Sequence, residues 1–130
     1  MRSTAREVVF KYVFSRLFNP DDEGLFAVIL NGSNLSEDNK VFATELLSAI
    51  DAKYEDYLAE IENLSSVKNV NRIFAADKTA IIIGMAEFDN FKDTPIPVII
   101  NEAVNLSAKF STERSTDFVN GILAVYVKNK

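Results

Sequence analysis

Cysteine, histidine and tryptophan are all absent from this 130-residue chain, and only four glycines and three prolines occur in it. Without cysteine there can be no disulfide and no thiolate metal site, and without histidine the commonest general base and metal ligand is missing. Hydrolytic triads and zinc chemistry are therefore not expected, and no metal or cofactor is called for. Long apolar runs are missing too. The nearest candidate for a membrane span, Ala75 to Met85, is interrupted by Asp77 and Lys78 and falls short of the roughly 18 residues required. After the opening Met1-Arg2-Ser3-Thr4-Ala5-Arg6-Glu7, the apolar residues are broken by Lys11, Ser15 and Arg16, unlike the continuous apolar core of a signal peptide. Secretion is not expected, and the lack of cysteine fits a reducing, cytoplasmic setting.

Positive charge is scarce as well: 14 Lys and Arg stand against 19 Asp and Glu, a net charge of −5. That balance opposes binding of nucleic acid through long-range attraction, so any RNA site must be a local cationic patch with strong salt sensitivity. What the chain does have is apolar residues, 48% of the total, enough for one domain with an ordinary core.

The apolar spacing is helical almost throughout, which with so little Gly and Pro predicts an all-α bundle of about six to seven helices. A first helix runs from about Thr4 to Phe18 on the stripe Val8, Val9, Tyr12, Val13 and Leu17, with 19–22 as its stop. A second covers about 22–30, with Gly32 supplying the positive φ of its C-cap. A third begins near Ser36, with Glu37 and Asp38 at the positive end of its dipole. It carries the stripe Phe42, Leu46, Ile50, Tyr54, Tyr57 and Ile61 to about Asn63. The segment 64–71 divides one domain, residues 1–130, into sub-bundles of about 1–64 and 71–130. Beyond it, Ile73 to Phe91 reads as the core helix, buried on most of its circumference. After the loop at 92–97 comes a helix over Val98 to Phe110, because Pro is tolerated in a first turn. Residues 111–114 form the connection, and either Ser115 or Thr116 N-caps a last helix running to about Lys128.

Several motifs go beyond pattern. Ile100-Asn101-Glu102-Ala103-Val104 is followed by Ser115 and then by Phe118-Val119-Asn120-Gly121-Ile122-Leu123. At the other end stand Arg2, Ala5, Arg6 and Glu7, followed by Phe14. Between them lie Asn71-Arg72-Ile73, Asp77-Lys78-Thr79-Ala80-Ile81 and Met85-Ala86-Glu87-Phe88. Together these closely resemble the NusB family of transcription antitermination factors. The resemblance implies a helical protein, without catalysis, that binds the boxA element of single-stranded RNA in ribosomal RNA leaders. It does so with the small ribosomal subunit protein NusE, in the RNA polymerase antitermination complex. Carried over by position, the RNA-facing residues are Arg2, Ser3, Arg6, Phe110, Ser115 and Phe118, and the NusE-facing residues are Phe14 and Asp77. The chain departs from the family where Ser3 and Thr4 thin the opening arginines, where Arg114 replaces a common acid, and at Asn105 and Ser107.

The residues themselves admit more than one role. Arg2 and Arg6, four apart, share a helix face and can bridge successive phosphates or simply be solvated. Phe110 and Phe118 can stack unpaired bases or belong to the core. Glu102 without a second acid, His or metal is weak evidence for catalysis. Asn101 is expected to hydrogen-bond between helices and Gly121 to permit their close approach. Two other classes of function compete. One is an RNA-binding fragment of a ribosomal RNA methyltransferase, although no glycine-rich cofactor loop is present. The other is a protein-binding scaffold or homodimer that hides the arginine face.

Overall fold

A computed structural model describes residues 1–19, 24–111 and 115–130. Among them are seven α-helices and no strand: α1 Arg2–Arg16, α2 Leu25–Gly32, α3 Glu37–Ala52, α4 Tyr54–Leu64, α5 Ala75–Asn90, α6 Ile96–Phe110 and α7 Thr116–Lys128. A short 3-10 turn, Val70–Arg72, precedes α5. Most of the expected stop of the first helix at 19–22, the start of the second, and most of the 111–114 connection with Arg114 lie outside the described residues.

Helix α5 is the axis. Every residue from Thr79 to Glu87 is buried, and the helix packs against α1, α3, α4, α6 and α7. A helix apolar around its circumference can be satisfied only by neighbours on all sides. Phe10 and Val13 of α1, Leu46 and Ile50 of α3, Ile61 of α4 and Leu123 of α7 close the same core around Ile81, Ile82, Ile83 and Met85. Pro97 falls in the first turn of α6, where its missing N–H costs nothing. Ser36 N-caps α3, its Oγ accepting from the Asn39 N–H at 3.3 Å.

The structure departs from the sequence reading in four places. The long third helix is two. The backbone leaves helical geometry at Lys53 (φ −135°, ψ 26°), because apolar residues spaced four apart drift by about 40° per step on a 3.6-residue helix. The break resets the phase so that Tyr57 and Ile61 of α4 again face inward. Gly32 sits inside α2, and the positive φ that reverses the chain belongs to Asn34, at 63°. Asn101 is exposed; its neighbour Glu102 makes the contacts between helices. Gly121 faces open space, whereas the glycine at a close approach is Gly84, where a Cβ would lie 2.8 Å from Leu123 Cδ1.

Candidate nucleic-acid and partner interface

Helices α1 and α6 lie side by side in the same direction, with contacts that step forward along both. Near their start, Ser3 Oγ donates to Glu102 Oε1. Arg6 is only 3% exposed. Its Nε and Nη2 donate to Glu87 Oε1 and Oε2 at 2.7 and 2.6 Å, and its Nη1 donates to Glu102 Oε1 at 3.0 Å. One α1 arginine thus joins carboxylates of α5 and α6. Burial demands this pairing, since an uncompensated charge in the interior is far costlier than a bidentate pair.

Arg2 is 43% exposed and half engaged: its Nη1 donates to Thr94 Oγ1 at 3.3 Å, its Nη2 lies 3.8 Å from Asp93, and its guanidinium lies 4.5 Å from the centre of the Phe42 ring. The two arginines therefore have different surroundings. Arg2 keeps an accessible edge, whereas Arg6 is committed to the interior and has no free face for a phosphate. Further along, Lys109 Nζ donates to both Glu7 carboxylate oxygens at 3.0 Å. Burial pushes the Glu7 carboxyl up, but Lys109 and Lys11 outweigh it and hold the group below the usual carboxylate range.

Beyond this seam the contacts become aromatic. Phe110 stacks on Phe10 at 4.7 Å, Phe10 on Phe14 at 5.7 Å, and Phe14 lies 5.3 Å from Phe18. Phe10 belongs to the core, Phe14 and Phe110 are half-buried, and Phe18 is 63% exposed. The row thus passes from interior to surface, with the Lys109 ammonium 5.6 Å from the Phe110 ring centre.

Across the α6–α7 connection, Ser115 and Phe118 line a cavity of about 180 Å³ together with Arg72, Ile73, Phe74 and Asp77. Asp77 is buried and accepts from Ser107 Oγ at 2.8 Å. The expected RNA and partner sets therefore interleave: Phe14 stands in the row that leads to Phe110, and Asp77 shares its cavity with Ser115 and Phe118. Sequence reasoning missed Glu87 as the main anchor of Arg6, and it missed Arg72 and Phe74 at the cavity rim. A carboxylate in the otherwise apolar run of α5 was the available signal for Glu87, since such a residue needs a cationic partner. Among the described residues, no group of three acidic side chains could hold a metal, and no helix is long and apolar enough to cross a membrane.

Fold and surface together define an all-α bundle that presents aromatic and cationic side chains around one inter-helix connection. The chain belongs to the NusB family, whose profile matches residues 2–128. It is 32% identical over 126 residues to the transcription antitermination protein NusB of Natranaerobius thermophilus, covering 94% of this chain and 91% of that one. To the protein of the same name from Finegoldia magna it is 29% identical over 130 residues, covering 99% and 95%. Among solved structures, T. maritima NusB superposes with a TM-score of 0.88 at 27% identity, over 98% of this chain and 91% of that one. A chain from the crystal structure of antitermination factors NusB and NusE in complex with dsRNA shares the fold, with a TM-score of 0.87 at 24% identity, over 99% and 97%.

Proposed function

We propose that this antitermination-family protein acts without catalysis, binding boxA-type single-stranded RNA of ribosomal RNA operons jointly with NusE. It thereby promotes read-through by RNA polymerase in the cytoplasm. The observation that carries the reading is the gathering of Ser115, Phe118 and Asp77 around one small cavity, with Asp77 bonded to Ser107, three residues before Phe110 on α6. Single-stranded RNA is commonly recognised by stacking unpaired bases on aromatic faces, with nearby cations on the phosphates. Phe110 and Phe118 supply half-open rings on either side of the α6–α7 connection, and Arg2 supplies a cation with an accessible edge. Ser3 and Arg6 serve by fixing α1 against α5 and α6, buried Asp77 serves the partner side indirectly by holding Ser107 of α6 at the cavity, and half-buried Phe14 offers a ring to the protein partner.

The test is an anisotropy titration of labelled boxA RNA and of a scrambled RNA, with and without NusE, at two salt concentrations. Salt-sensitive binding that favours boxA and tightens with NusE is expected. Phe118→Ala should weaken it by about 1–3 kcal/mol, the contribution of one stacked base. Equal affinity for the two RNAs with NusE present would refute the proposal.

A further inference from the structure

The cations of α1, and Lys109 of α6, are largely spoken for. Arg2, Arg6, Lys11, Arg16 and Lys109 each lie against a carboxylate of this chain. Lys68 and Arg72 do not: neither pairs with a carboxylate among the described residues. Both line one open cleft of about 600 Å³, together with Ser66, Val67 and Asn69 among the described residues. Among the described residues no acidic side chain borders that cleft, in a chain whose net charge is −5.

The segment that carries them is held by its own side chains. Ser65 is buried and its Oγ accepts from the Val67 N–H at 2.9 Å. Asn69 Oδ1 accepts from the Asn71 N–H at 3.0 Å, and the Asn69 carbonyl accepts from the Arg72 N–H at 2.9 Å. These local bonds substitute for helix while fixing the backbone. Lys68 and Arg72 therefore face a common space without the ordering cost of a floppy loop. Arg72 also borders the Ser115–Phe118 cavity, as does Phe74, which is 53% exposed.

We propose that residues 65–74 form a second RNA-contacting station. Lys68 and Arg72 neutralise two backbone phosphates of a single strand that continues past the Ser115–Phe118 cavity, and Phe74 offers its open ring to a base. This rests on the RNA-binding reading above and extends it to residues that reading does not use. The chemistry favours a phosphodiester over an acidic protein segment. A guanidinium fork and an ammonium share one cleft with a hydroxyl and an amide, and aromatic rings for bases lie directly alongside.

The experiment compares wild type, Lys68→Ala/Arg72→Ala and Phe74→Ala in titrations of labelled boxA RNA over a range of salt, on the chain alone and on its complex with NusE. NusE affinity without RNA is measured in parallel, and circular dichroism reports folding. Both cations are exposed, so the variants are expected to fold. For the double variant, the slope of log affinity against log salt should become shallower by about 1.4, the value for two single-strand phosphates. NusE affinity should not change. An unchanged slope overturns the station, and a drop in NusE affinity with RNA binding intact assigns the cleft to a protein instead. If wild type shows no preference for boxA even with NusE, the underlying reading fails. If Phe118→Ala weakens RNA binding while the double variant does not, only the station fails.

Discussion

Arg6 shows how a residue expected at a binding surface can instead hold up the element that carries the surface. Its guanidinium meets Glu87 in two parallel bonds and Glu102 in a third, and Glu87 is itself 1% exposed. Removing the cation strands two carboxylates, one of them fully buried, so Arg6→Ala should cost about 3–5 kcal/mol of stability, read as a lower urea midpoint. Arg6→Lys keeps the charge but loses the planar fork and should fall between the two. An Arg6→Ala protein as stable as wild type would contradict this role. The spacing of Arg2 and Arg6 was legible, since residues four apart do share a helix face. What the sequence concealed is that a 40° rotation between them suffices to turn one arginine under α6 while its neighbour keeps a wet edge. That difference depends on Glu87, which is 81 residues away.

At the scale of elements, α4, α5 and α7 are joined by one carboxylate. Asp89 Oδ2 accepts from Tyr57 Oη at 3.0 Å and from Tyr126 Oη at 2.7 Å. Both phenols have raised pKa values, first because burial disfavours the phenolate and then because the Asp89 carboxylate faces them. A pKa raised in the folded state means stability that is fully present below the unfolded value, about 10, and lost as pH rises from there toward the folded value. The urea midpoint should therefore fall above pH of about 10. Tyr57→Phe/Tyr126→Phe should start lower at neutral pH, having lost two bonds to a charged acceptor worth about 1.5–3 kcal/mol each, and should then fall less steeply. Alkaline slopes that match would remove the phenols from the account; contributions common to both proteins, such as the lysines, cancel in the comparison. Element boundaries were only partly legible. Helix α5 stood out because its apolar residues leave no polar face, whereas the break at Lys53 has no Gly or Pro to mark it and shows only as a drift in stripe phase. Gly84 was likewise hidden, since a glycine's need for space is set by what faces it, here Leu123.

At the scale of the molecule, the arrangement around α5 bears on how the chain unfolds. The division into sub-bundles at 64–71 would allow each half its own transition if each had its own core. Yet α1, α3 and α4 on one side and α6 and α7 on the other all bury their apolar faces against α5, and the buried residues form one cluster. Neither half can lose α5 and keep its apolar surface covered, so unfolding should be a single cooperative step, as in most domains of this size. With no tryptophan present, the four tyrosines supply the local probe: Tyr12 on α1, Tyr54 and Tyr57 on α4, and Tyr126 on α7. Tyrosine fluorescence and helical circular dichroism should trace one transition in urea. Ile82→Ala, which opens a cavity in the shared axis, should move both signals together by about 2–5 kcal/mol. Two separated transitions, or a variant that shifts one probe and spares the other, would mean that the segment at 64–71 parts two independently folding units.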